Sequence, residues 1–148
     1  MIAYGRCSFI GLSVLALSLA APAAIAETVE FTATLQGSEE VPPVETSGEG
    51  EAEVTYDTES RNLSWTITYT DLSGPPTGAH FHGPAEPGEN ADVVVPIPDS
   101  LESPIEGEAE LTEEQTSQLM EVQWYVNIHT AQHLDGEIRG QVKQGEPL

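Results

Sequence analysis

The four histidines of this 148-residue chain are confined to two short segments. His80 and His82 form a His-x-His pair in the first segment, and His129 and His133 lie four residues apart in the second. Imidazole nitrogen is a good ligand for copper, zinc and nickel, and three or four imidazoles are enough to hold one such ion. These four residues are therefore candidate metal ligands.

The spacing of the first pair suits a β-strand. Successive side chains of a strand point to opposite faces, so His80 and His82 are expected to project together while Phe81 enters the core. Apolar residues also alternate over 122–128, which predicts a second strand with Asn127 and His129 facing outward.

Two such strands could bring three imidazoles to one outer surface, with His133 within reach from the following turn. A structural alternative is that the histidines only hydrogen-bond loop backbone and brace the strand ends. Their confinement to two segments favours a shared role in metal binding. The only cysteine is Cys7, so a thiolate zinc site is not expected, and copper suits an imidazole-rich site best.

Arg139 is the other residue with chemical interest. Ile138 and Val142 are predicted to face inward, and Glu137, Arg139 and Gln141 outward. In so acidic a chain, a bidentate ion pair with a neighbouring carboxylate is the expected structural role of this arginine. The alternative is that Arg139 steers an anion towards a nearby metal.

Motifs for common catalytic chemistry are missing from the sequence. There is no glycine-rich phosphate loop, no serine nucleophile elbow and no catalytic cysteine motif. The many acidic residues do not mark any one pair for glycoside hydrolysis. A non-enzymatic protein is therefore favoured.

Period-two alternation of apolar and polar residues dominates the chain after residue 26. It predicts half-buried antiparallel strands over 28–35, 51–56, 62–70 and 122–129, with a last strand near the C-terminus. Several short strands at this spacing indicate an all-β antiparallel sandwich or barrel, of which the sandwich is the predicted fold class. A capping box at Thr112 predicts one short helix.

The first 26 residues are typical of a secretory signal peptide. Arg6 precedes an apolar run over 9–19, and Ala24-Ile25-Ala26 resembles a cleavage site. This predicts a signal peptide over 1–26, a single domain over 27–148, and a secreted or periplasmic protein. The apolar run is too short to span a bilayer, and no second one follows, so no transmembrane segment is expected after signal removal.

The charge balance is strongly acidic. Asp and Glu number 25 against four Lys and Arg, for a net charge of −21. Nucleic acid is not an expected partner, because phosphate binding needs clustered Lys and Arg. A negative surface draws cations at low salt, or serves only as a solvated coat that keeps the protein soluble.

Five segments together resemble the CHRD domain, which is named from the animal protein chordin and is widespread in microbial secreted proteins. The segments are residues 31–35, 39–44, 78–85, 125–130 and 136–141. In this order they extend the resemblance over roughly residues 28–142.

The resemblance implies an immunoglobulin-like sandwich similar to that of copper-zinc superoxide dismutases. It implies that His80, His82 and His129 are copper-type ligands, with His133 as a fourth candidate, and that Arg139 is similar to an anion-guiding arginine. The chain lacks the disulfide, the assignable bridging histidine and the zinc loop of those enzymes. Metal binding without catalysis is therefore favoured, and an extracellular protein-interaction module and a dismutase-like copper enzyme remain the alternatives.

Overall fold

A computed structural model describes residues 27–97 and 100–145 of the chain. The predicted signal peptide over 1–26 lies outside the described residues. Within them, short antiparallel strands and a single short α-helix account for nearly all regular structure, as the sequence predicts. The strands are β1 (Thr28–Gln36), β2 (Glu49–Asp57), β3 (Asn62–Thr70), β4 (Pro76–His82), β5 (Val93–Pro96), β6 (Ile105–Glu110), β7 (Tyr125–Thr130), β8 (Ile138–Gln141) and β9 (Lys143–Gln144), and the helix is α1 (Glu113–Met120).

The described strands form one continuous sheet in the order β5-β4-β7-β8-β1-β2-β3-β6, with β9 beside β1. Two halves of the sheet meet where Gln36 of β1 pairs with Arg139 of β8. Strands β8 and β9 join the two halves, because β8 pairs with β7 and β9 pairs with β1. The immunoglobulin-like arrangement of two separate sheets is therefore not confirmed.

The alternating apolar residues of both halves face one shared core. Trp65 of β3 packs edge-on against Phe81 of β4 at 5.3 Å between ring centroids. These strands lie near opposite ends of the strand order, so the sheet curls around the core. Burying each large apolar side chain contributes about 1.5–3 kcal/mol to folding. The fully buried ones include Phe31, Leu35, Leu63, Ile67, Ile105, Trp124, Ile128 and Ile138.

The predicted capping box starts helix α1. The Thr112 hydroxyl accepts a hydrogen bond from the Gln115 backbone N–H, and the Gln115 side chain accepts one from the Thr112 N–H. Leu119 is buried in the core, whereas Met120 is exposed. The Gln115 amide also donates to the Val94 carbonyl at 2.9 Å, which ties the helix to β5.

The outer face of β7 and β8 differs from the sequence prediction. Asn127, Glu137 and Arg139 were expected to face solvent, but they are only 3%, 0% and 2% exposed. Loops from elsewhere in the chain cover this face, so it forms a second, polar interior layer. Strand β7 also begins later than predicted, because Val122 lies in a turn after α1 with a left-handed φ of 62°.

Glu137 hydrogen-bonds to two of the covering segments, those of Thr46 and Ser73, and so holds them on this polar layer. Its carboxylate accepts hydrogen bonds from the Thr46 hydroxyl at 2.7 Å, the Ser73 backbone N–H at 2.8 Å and the Thr130 hydroxyl at 2.6 Å. Burial alone would raise the pKa of Glu137, but the hydrogen bonds from Ser73, Thr130 and Thr46 lower it to about 2. The group is therefore ionised and fully engaged at neutral pH.

Replacing Glu137 by Gln should lower the free energy of unfolding at pH 7 by about 2–3 kcal/mol, because charge-assisted hydrogen bonds are lost. The folded pKa lies below the ordinary 4.5, so the stabilisation is complete above pH 4.5 and is lost as the pH falls towards 2. Urea denaturation between pH 7 and pH 3 should show the gap between Glu137→Gln and the unaltered protein narrowing. Glu106→Gln, at an exposed position, is the control. Equal urea midpoints at pH 7 would contradict this account of Glu137.

Candidate metal centre

The register between β4 and β7 brings the two histidine segments together. His80 lies opposite Asn127, and Gly78 lies opposite His129. The intervening Phe81 is fully buried in the apolar core, as predicted from the His-x-His spacing. Because directly opposed residues of an antiparallel pair share a face, the imidazoles of both strands project to the same side.

Three imidazoles converge on one point. His80, His82 and His129 each offer a nitrogen, and these nitrogens lie within 4.8 Å of one another. Nδ1 of His80 is 3.1 Å from Nε2 of His129. Two nitrogens that bind one ion at about 2.0–2.1 Å lie roughly 3 Å apart, so this pair already has the separation of two ligands.

Backbone carbonyls orient two of the three rings. Nδ1 of His82 lies 3.0 Å from the Ala91 oxygen, and Nδ1 of His129 lies 2.9 Å from the Leu134 oxygen. A carbonyl oxygen can only accept, so each Nδ1 carries the proton and each Nε2 presents a lone pair. Ligating histidines are commonly held in this way, with the second ring nitrogen bonded to a carbonyl.

His133 is not a member of this cluster. It is half-buried, and its backbone closes a turn: the His133 N–H donates to the Thr130 oxygen at 3.1 Å, and the Thr130 N–H donates to the His133 oxygen at 3.3 Å. The turn leads directly to Leu134, whose carbonyl orients His129. The backbone of His133 thus helps to position the Leu134 carbonyl, although the His133 imidazole is not in the cluster.

Two of the three imidazoles, those of His80 and His82, have lowered pKa values. Burial lowers the pKa of His80 below its ordinary 6.5, and the neighbouring His129 and His82 lower it further. Burial also lowers the pKa of His82, although Ala91 and Asn127, which can accept hydrogen bonds from the protonated ring, oppose the shift. Neutral imidazole is the form that binds a metal ion, so the site is prepared for ligation near pH 7.

Asn127 is the site residue that the sequence did not single out. Its Oδ1 lies 3.0 Å from Nε2 of His129 and 3.1 Å from Nε2 of His82. The available signal was its position two residues before His129 on the same strand face. Asparagine is common on polar faces, so that position alone carries little information.

A buried carboxyl group lies on the other side of the Asn127 amide. Gly136, with φ of +131°, covers both groups so closely that a Cβ there would lie 2.2 Å from Oε1 of Glu40 and 2.8 Å from Nδ2 of Asn127. Burial raises the pKa of Glu40 to about 7, although Arg139 and the Asn127 amide oppose the shift. Among the described residues, Oε1 of Glu40 has no hydrogen-bond partner.

Arg139 supports the site through a stack of planar groups. Its guanidinium lies 3.5 Å from the centroid of the Tyr125 ring, and the opposite face of that ring stacks on His82 at 4.8 Å with 1° between the planes. The guanidinium donates to Oδ1 of Asn90 at 3.0 Å and to the Glu89 carbonyl at 2.7 Å. The expected bidentate carboxylate is thus replaced by an amide and a carbonyl oxygen. The salt bridge found in the described part of the chain is instead Arg61–Glu110.

The same contacts fix the loop that orients His82. Arg139 holds Glu89 and Asn90, and the Tyr125 hydroxyl donates to the Ala91 carbonyl at 3.3 Å. That carbonyl is also the acceptor for Nδ1 of His82. Arg139 therefore acts on the site indirectly, by holding the backbone that sets the orientation of one imidazole.

The fold and the site define an all-β domain with a candidate three-imidazole metal centre. The CHRD domain profile matches residues 31–142, and the chain belongs to this family. All three converging histidines lie within the matched region. Comparison with curated proteins and with solved structures finds no match. None of the described helices is long and apolar enough to cross a membrane.

Replacing Arg139 by Lys should loosen the 83–92 loop, because an ammonium cannot donate both hydrogen bonds while stacking on Tyr125. We expect a loss of about 1–3 kcal/mol in unfolding free energy and faster amide hydrogen exchange in that loop. The matched control is Arg61→Lys, at a partly exposed salt bridge, which should cost less than about 0.5 kcal/mol. Unchanged loop exchange in Arg139→Lys would contradict the anchoring role.

Proposed function

We propose that this protein is a secreted, non-enzymatic CHRD-domain protein that binds a metal ion, with copper as the best fit, through His80, His82 and His129. The observation that carries the proposal is the convergence of these three imidazoles, two of them with Nδ1 engaged by a backbone carbonyl. Such an arrangement fixes lone pairs towards a common point before any ion arrives, so little ordering is needed on binding.

The donor set supports copper among the common ions. The cluster offers imidazole nitrogen, and the domain over 27–148 contains no cysteine to supply a thiolate. For a nitrogen site of given geometry, affinity among divalent first-row ions is highest for Cu²⁺. The net charge of −21 further favours a cationic ligand.

The dismutase-like alternative is less well supported. An anion-guiding arginine has to present its guanidinium to solvent, whereas Arg139 is buried and bonded to Asn90 and Glu89. We also propose that the domain is related to the immunoglobulin-like sandwich of copper-zinc superoxide dismutases.

From residues 1–26 we propose that the protein is secreted or periplasmic.

A protein-interaction module is the second candidate, and one surface feature favours it. Leu134 is 76% exposed and Val93 is 47% exposed. Leu134 supplies the carbonyl that orients His129. Val93 of β5 pairs with His82 of β4. Exposed apolar side chains beside a polar site are typical of contact surfaces. A partner that docks there could do so with or without a metal.

Thermal melting with added Cu²⁺ or Zn²⁺ tests metal binding. An ion present at about 100 times its dissociation constant stabilises the folded state by about 2.7 kcal/mol, which corresponds to a rise in Tm of roughly 10 °C for a domain of this size. Changing His80, His82 or His129 to Gln should abolish most of that rise. His133→Gln is the matched control and should keep it, because His133 lies outside the cluster.

Elemental analysis of protein purified from its own compartment, without added metal, identifies the native ion. Equal melting with and without either ion at neutral pH would contradict the metal-binding proposal. Retained capture of a partner protein by the His80, His82 and His129 variants would support the interaction module instead.

A further inference from the structure

We infer that Oδ1 of Asn127 is a fourth ligand, so that the site offers three imidazole nitrogens and one amide oxygen and is built for a divalent ion rather than for Cu⁺. The inference rests on the proposed function and names the class of ion that the site takes. Its basis is the position of one amide oxygen between two lone-pair-bearing nitrogens.

The contacts of Asn127 lack a hydrogen-bond donor. Nε2 of His82 and Nε2 of His129 cannot donate, because in each neutral ring the proton is held on Nδ1 by a backbone carbonyl. Oδ1 of Asn127 cannot donate either, yet it lies 3.1 Å and 3.0 Å from these nitrogens. Three acceptors at such distances repel one another unless a positive charge lies between them.

The orientation of the Asn127 amide follows from its other neighbour. Its Nδ2 and the buried carboxyl group of Glu40 both lie beneath Gly136, and the Asn127 side chain hydrogen-bonds to that carboxyl group. A carboxyl oxygen accepts this hydrogen bond, so it favours the N–H₂ end of the amide and directs Oδ1 towards the histidines. Glu40 is 6% exposed, so solvent offers its carboxyl group little alternative to this contact. Glu40 is thus a positioning residue for the fourth ligand.

An inverted amide would place charges less favourably. Nδ2 would then donate to the imidazole nitrogens, and the buried Glu40 carboxyl group would lose its N–H donor. In that arrangement Asn127 would compete with a metal for the nitrogen lone pairs. The two orientations therefore predict opposite effects of removing the amide.

An oxygen ligand sets the class of ion. Soft Cu⁺ selects thiolate and thioether ligands, imidazole suits zinc and copper, and an amide oxygen is a harder ligand that favours a divalent ion over Cu⁺. Four donors also match the coordination number that zinc adopts in structural sites. Loss of Asn127 should therefore weaken the binding of divalent ions and leave Cu⁺ binding unchanged.

The experiment compares Asn127→Ala with the unaltered protein in competition titrations with Zn²⁺, Cu²⁺ and Cu⁺ at pH 8. We expect the affinity for both divalent ions to fall about 10–100-fold and the affinity for Cu⁺ to change less than about threefold. Asn62→Ala, on the outer face of β3, is the control and should change neither. Equal or tighter binding of the divalent ions by Asn127→Ala would overturn the inference.

A charge-exchange variant covers the case in which Asn127→Ala does not fold. The double substitution Glu40→Gln/Asn127→Asp interchanges acceptor and donor, so that the amide introduced at position 40 can donate to the carboxylate introduced at position 127. The second oxygen of that carboxylate then faces the histidines. This variant should bind Zn²⁺ at least as tightly as the unaltered protein and should alter the electron paramagnetic resonance spectrum of bound Cu²⁺. An unaltered spectrum would show that residue 127 is not a ligand.

The outcomes separate the two proposals. If the unaltered protein binds none of the three ions, the proposed function fails. If it binds them and His82→Gln abolishes binding, but Asn127→Ala has no effect, metal binding stands and only the fourth ligand is rejected.

Discussion

The antiparallel register between β4 and β7 is the constraint on which the rest of the site depends. It places His80 opposite Asn127 and Gly78 opposite His129, so imidazoles from two distant segments share one face. A slip of one residue would turn the histidines of one strand towards the apolar core. The register is held from the other face, where Phe81 packs against Trp65 and Trp124. The apolar core therefore fixes the geometry of the polar site.

A buried polar layer is costly unless its groups find partners, and here the covering loops supply partners for Glu137 and Arg139. Glu137 receives hydrogen bonds from Thr46, Ser73 and Thr130, and Arg139 donates to the loop that carries Ala91. The contacts that hold the loops closed also set the directions of His82 and Tyr125. Stability and site geometry thus rest on the same hydrogen bonds.

Much of this could be predicted from the sequence, because strand alternation depends on local pattern. The core positions of β1 to β3, the capping box at Thr112 and the shared face of His80 and His82 follow from local spacing. The meeting of that pair with His129 was a hypothesis, because it also needs β4 and β7 to pair. Burial of Glu137, Arg139 and Asn127 could not be predicted, because it depends on loops that come from distant parts of the chain. For the same reason Arg139 was expected to bind a carboxylate, although an amide and a carbonyl occupy its hydrogen bonds.

The distribution of charge around the site bears on what it can hold. Imidazole and amide ligands are neutral, so a divalent ion bound by them keeps its full charge, unlike one bound by carboxylates. The balancing negative charge lies further out, in the many acidic residues that give the chain a net charge of −21. The positive charge of Arg139, which is packed against Tyr125, partly offsets this negative charge near the site. Affinity in such a site comes from the fixed positions of the ligands more than from charge neutralisation, which is why the contacts that orient each ring matter as much as the ligands themselves.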